Sequence, residues 1–109
     1  MYGNGDGVPQ DYAEAAKWMR AAAEQGNADA QLNLGKLYGS GRGVPQNHAQ
    51  AAKWVRAAAE QGNAEAQRVL GTLYGSGQGV PKDYVSAYMW LNLAAAQGEK
   101  ARRAQDGDD

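Results

Sequence analysis

The sequence predicts an all-α protein built as an α/α superhelix of antiparallel helix pairs, and three observations carry that prediction. Gly43–Gln78 repeats Gly7–Arg42 with identity at about 27 of 36 positions, and a third copy opens at Gly79 with GVPKDY. Trp18, Trp54 and Trp90 recur one repeat apart. A repeat of this length encodes helix pairs that cannot bury an apolar face alone and are covered by their neighbours. The composition agrees. Alanine is abundant and phenylalanine absent, while 3 Trp and 6 Tyr among 109 residues supply large pieces of apolar area between closely approaching helices. Residues 1–109 read as a single helical-repeat domain with copies starting at 7, 43 and 79, the last incomplete.

Met1–Gly7, MYGNGDG, aligns with Leu37–Gly43, LYGSGRG, so the chain is expected to open on the tail of a helix whose body is missing, as in a piece of a longer array. Asp11-x-x-Glu14 and Asn47-x-x-Gln50 are capping boxes two residues after a proline, and Asp83 keeps the cap in the third copy. They predict helix starts near 11, 47 and 83. From the first start, Tyr12, Ala15, Ala16, Met19, Ala22 and Ala23 fall at helical spacing, opposite Lys17, Arg20 and Glu24. The tryptophans are expected to be packed anchors on these helices. Gln25-Gly26-Asn27 and Gln61-Gly62-Asn63 then end one helix and begin the next, glycine as the left-handed residue and asparagine as N-cap. On the second helix of each pair Ala30, Leu34, Leu37 and Tyr38 form the buried stripe, and Gly35 marks close approach to a neighbouring backbone. Turns this short make consecutive helices antiparallel neighbours. In the third copy EKARRAQDGDD replaces the second helix, with Gln105 or Asp106 where Leu34 belongs, so the chain is expected to fray into a polar end after Gly98.

Ala30-Gln31-x-x-Leu34-Gly35-x-x-Tyr38, the loop GxGVPxD and Tyr12-x-x-Ala15-x-x-Trp18-x-x-x-Ala22-Ala23 together resemble the Sel-one-like repeat family, relatives of the tetratricopeptide repeat. The resemblance covers nearly the whole chain and departs from it after Gly98. It implies a right-handed solenoid and a role as a scaffold or adaptor for other proteins, often in bacterial signalling, envelope or host-interaction settings. Some members of the family are cysteine-rich and linked to β-lactam binding or hydrolysis. This chain has no cysteine, which makes that branch a poor match and removes disulfides and thiolate zinc sites.

Chemistry-bearing patterns are sparse. Net charge is −1, too little for a basic nucleic-acid footprint or an anionic membrane surface, and no apolar run approaches a membrane span. GNGDG, GSGRG and GSGQG follow helices and run into Val-Pro, so they read as helix-ending turns and not phosphate loops. Asn4 and Asp6 fall short of a calcium loop because Tyr2 and Ala13 stand at two ligand positions. His48 alternates with Tyr12 and Tyr84, which marks a packing position. Glu24 and Glu60 sit one turn after Arg20 and Arg56 as surface pairs. No catalytic set, metal site or cofactor is read from the sequence.

Two surfaces stand out. On the second helices the exposed positions Asp29, Leu32, Asn33 and Lys36, then Glu65, Arg68, Val69 and Thr72, all differ between copies and are expected to line a concave groove for a peptide or protein partner. On the third copy's helix Val85, Met89, Leu93 and Ala96 replace Ala49, Lys53, Ala57 and Glu60. That apolar stripe is expected to self-associate as a homodimer. The alternatives to an interaction module are a cell-wall or β-lactam-related enzyme or small-molecule binder, and a structural segment of a longer array.

Overall fold

A computed structural model describes residues 8–107, with side chains described over residues 12–100. The expected helix tail and loop of residues 1–7, with Asn4 and Asp6, lie outside the described residues. Five helices follow in series with no strand among the described residues: α1 Val8–Glu24, α2 Ala28–Ser40, α3 His48–Glu60, α4 Ala64–Ser76 and α5 Tyr84–Gly107. Each packs on its neighbour in sequence, and the tightest pairs are α2 with α3 and α4 with α5. The body measures 46 × 40 × 26 Å.

The turns follow from their residues. Gly26 (φ 95°) and Gly62 (φ 97°) take the left-handed conformation, and the Asn27 and Asn63 side chains accept the Ala30 and Ala66 N–H at 2.9 and 2.8 Å. After α2 and α4 the left-handed Gly41 and Gly77 donate their N–H groups to Leu37 and Leu73. The chain is then pinned to the helix it has left: Asn47 and Asp83 donate their backbone N–H to the Tyr38 and Tyr74 carbonyls, both at 2.9 Å. The Asn47 side chain accepts from Gln50 N at 3.0 Å, and Asp83 accepts from Val85 and Ser86 N at 3.1 and 3.2 Å. Two of the expected starts hold. The start near 11 does not, because α1 begins at Val8 and Asp11 lies inside it. No described helix precedes α1 to hold its Val-Pro segment extended, and a proline is tolerated in a first turn.

The core lies between successive helices. Ala23, Leu34, Tyr38 and Ala51 form one buried cluster, with Met19, Ala30, Val44 and Trp54 packed on it. Leu32, Val55, Ala58, Ala59, Ala66 and Leu70 form the next, with Trp90 against it. Gly35 keeps the place expected of it, since a Cβ there would stand 2.7 Å from Val55 Cγ2 and 3.0 Å from the Ala51 carbonyl. Gly79 (φ 78°) is pressed onto the His48 carbonyl in the same way. Buried glutamines link successive helices: Gln31 Nε2 donates to the Ala23 carbonyl at 3.1 Å, and its Oε1 accepts from Gln61 Nε2 at 2.9 Å. One repeat on, Gln67 donates to the Ala59 carbonyl at 3.1 Å and accepts from Gln97 at 2.5 Å.

Three expectations are corrected. Trp18 is 69% exposed, because the niche of Trp54 is supplied by α1 and α2, and no described pair stands before α1. His48 and Tyr84 are exposed, so these two copies do not use the position for packing, whereas Tyr12 is half-buried with Arg42 over its ring. The helix does not end at Gly98; α5 continues to Gly107. Where Gly26 and Gly62 are followed by a capping asparagine, Gly98 is followed by Glu99, so the N-cap that would start a separate helix is missing.

Candidate functional site

Of the nine positions that differ between the two full copies, four lie on α2 and α4. Asp29, Asn33 and Lys36 on α2 are exposed, as are Glu65, Arg68 and Thr72 on α4, while Val69 is half-buried. Short helices ended by glycine turns set α2 and α4 close enough for their side chains to meet. Lys36 Nζ reaches Glu65 Oε2 at 2.7 Å, Asn63 Nδ2 donates to Asp29 Oδ1 at 3.1 Å, and Arg68 lies 4.0 Å from Glu65. The Lys36 hydrogen bond and charge, helped by Arg68, hold the Glu65 carboxyl below its usual value against a small opposing effect of burial. The result is an exposed row of alternating charge. Such pairs contribute little stability, so they describe a surface pattern more than a fastening.

Leu32 does not belong to that surface. It is 4% exposed and lies in the core cluster with Val55, Ala58, Ala59, Ala66 and Leu70. Helical periodicity turns it outward from its own pair, but the next pair covers it. Its counterpart Arg68 has a side chain 63% exposed.

On α5 the expected stripe is exposed, Val85 at 79%, Met89 at 52% and Leu93 at 44%. A second apolar strip of α5, Leu91, Ala94 and Ala95, joins Ala64, Glu65 and Arg68 of α4 around an open crevice of about 380 Å³.

A larger crevice of about 570 Å³ opens where α1, α2 and α3 meet, beside Arg20, Tyr38, Lys53 and Trp54. Arg20 bonds the Tyr38 hydroxyl, lies over its ring at 5.8 Å and meets Glu24 at 3.6 Å. Arg56, Tyr74 and Glu60 repeat this arrangement. The sequence reading recognised the Arg–Glu pairs and missed the tyrosine, although Arg20–Tyr38 and Arg56–Tyr74 share one spacing. Among the described residues no three His, Cys, Asp or Glu side chains converge to hold a metal, and no described helix is long and apolar enough to cross a membrane.

The comparisons with known proteins follow this architecture. Solved structures share it, among them these two. A protective antigen of uropathogenic Escherichia coli displaying an SLR fold superposes with a TM-score of 0.81 and 49% identity over 87% of this chain and 20% of the antigen. A Sel1 repeat protein from Oxalobacter formigenes superposes at 0.75 with 42% identity, over 76% of this chain and 63% of its own length. The chain therefore spans about a fifth of the first protein and under two thirds of the second. No curated protein sequence matches it. The Sel1 repeat model matches residues 1–27, 28–63 and 64–99, with boundaries at the Gly26-Asn27 and Gly62-Asn63 turns. Each full unit is thus the tightly packed pair, α2 with α3 and α4 with α5, and by this match the chain belongs to the Sel1 repeat family.

Proposed function

We propose that the chain is a non-enzymatic interaction module whose α2–α4 face holds a peptide or surface segment of a partner protein. Sel1 repeat proteins are generally protein-interaction scaffolds, and the three copies starting at 7, 43 and 79 act here as one module. Asp29, Lys36, Glu65 and Arg68 set the charge register of the bound segment, with Asn33, Val69 and Thr72 between them. One observation carries the reading. Most residues that stacking demands are the same in both copies, Leu32 and Val55 with their counterparts Arg68 and Met19 excepted, whereas the exposed residues of α2 and α4 ahead of Ser40 and Ser76 differ and meet across the two helices through Lys36 and Glu65. Interface energy concentrates in a few residues, so few substitutions suffice as a test. A peptide selected from a random display library on the chain should lose about tenfold or more in affinity with Lys36→Glu and with Arg68→Ala, helicity being unchanged. Selected peptides indifferent to both substitutions would place the binding face elsewhere.

A further inference from the structure

α4 lies in a seat built by the pair before it. Ala66 and Leu70 share a buried cluster with Leu32 of α2 and with Val55, Ala58 and Ala59 of α3. One repeat on, the positions that build the seat are Arg68, Leu91, Ala94 and Ala95, and these line the 380 Å³ crevice between α4 and α5. Leu91 is 40% exposed where Val55 is 2%. The walls are formed as tightly as in the filled seat, since a Cβ on Gly71 would stand 2.7 Å from Leu91, as one on Gly35 would from Val55. Because α5 runs on through Gly98 as one helix, no described helix enters this seat.

We propose that the crevice between α4 and α5 receives one amphipathic helix of a partner protein, which presents a small residue and, one turn later, a carboxylate. The occupied seat is the template: α4 presents Ala66 and then Leu70 to a floor of the same shape. The chemistry differs at one place. Leu32, which meets an apolar helix, is replaced by Arg68, whose nearest carboxylate, Glu65 at 4.0 Å, is already engaged by Lys36 at 2.7 Å. Leu91, Ala94 and Ala95 demand small or apolar side chains, while the guanidinium demands an acid where Leu70 stands in the template. Such a site goes beyond the α2–α4 face, with which it shares Glu65 and Arg68, and Ala95 and Asp29 tell the two apart.

The probe is a synthetic copy of residues 63–76, held helical by a lactam between positions 68 and 72, which face away from the core, with Leu or Asp at position 70. Titrated into the whole chain and followed by calorimetry, the Leu70→Asp peptide should bind at least tenfold more tightly than its parent. Arg68→Leu in the chain should reverse that order. Ala95→Trp should abolish binding of both peptides with circular dichroism unchanged, and Asp29→Ala, a change on the α2–α4 face away from Arg68 and Glu65, should leave it intact. The absence of saturable binding at millimolar peptide, or an order indifferent to Arg68→Leu, would overturn the proposal. So would self-association that Ala95→Trp removes, which would give the seat to a second copy of this chain.

Discussion

At the scale of single residues, the two halves of the repeat make identical side chains unequal. Trp54 packs on the Ala23–Leu34–Tyr38 cluster, whereas Trp18 is 69% exposed. Trp54→Ala should cost about 3 kcal/mol, the low end for a truncated aromatic because the ring is only half-buried. Trp18→Ala should stay within about 0.5 kcal/mol. Chemical denaturation of the two variants checks the contrast, and equal midpoints would refute it. Gly79→Ala should destabilise by about 1–3 kcal/mol, since it forces a side chain into the left-handed region and against the His48 carbonyl. Much at this scale was legible beforehand: the Gly26-Asn27 turn, the Asn47 cap and the close approach at Gly35 all depend on residues adjacent in sequence or on one missing Cβ. Leu32 and Trp18 were not legible. Their burial depends on whether another pair covers them, which the periodicity of their own helix does not encode.

At the scale of elements, α5 departs furthest from its counterparts. The apolar stripe of Val85, Met89 and Leu93 was legible as a break in the charged pattern of α1 and α3, and its exposure motivates pairing of two chains through it. Met89→Lys should convert a dimer into a monomer by light scattering at micromolar concentration, and a parent chain already monomeric there would end the idea. The start of α5 carries its own pH dependence. Asp83 is held below the usual aspartate value mainly by the backbone and side-chain hydrogen bonds of Ser86. A carboxyl with a lowered pKa contributes stability above its unfolded value, and that contribution fades as pH falls through the folded one. Amide exchange at Val85 and Ser86 should therefore quicken with acid relative to α3, whose Asn47 cap does not titrate. Asp83→Asn should remove the difference. The continuation of α5 through Gly98 was half legible: the missing asparagine was in view, but the polar tail read as fraying and not as helix.

At the scale of the whole molecule, helices that touch mainly their sequence neighbours make an elongated body. The Cα radius of gyration is 15.7 Å, against about 13 Å for a compact chain of this length. Cohesion of this kind is close to a sum over neighbours, so amide protection should peak in α2 to α4 and fall toward α1, where a uniform profile would contradict it. The fold class was legible from the repeat alone, because translation along the chain is its symmetry. Partner specificity was not, since it rests on exposed positions that stacking leaves free. The glutamine relay has a genetic consequence. Gln31 connects the end of α1 to the turn after α3, and Gln67 connects the end of α3 to Gln97 within α5, so the relay keeps step only if the chain changes length by whole units. Excising residues 28–63 joins Asn27 to Ala64 and sets Gln67 at the place of Gln31, so the shorter chain should still unfold cooperatively when heated. Removing one residue fewer leaves the junction one residue too long, and if α4 absorbs it, its side chains turn about 100° away from the pair before it. Recombination between neighbouring copies, which exchanges whole units, is therefore the change in length that this relay predicts will be accepted.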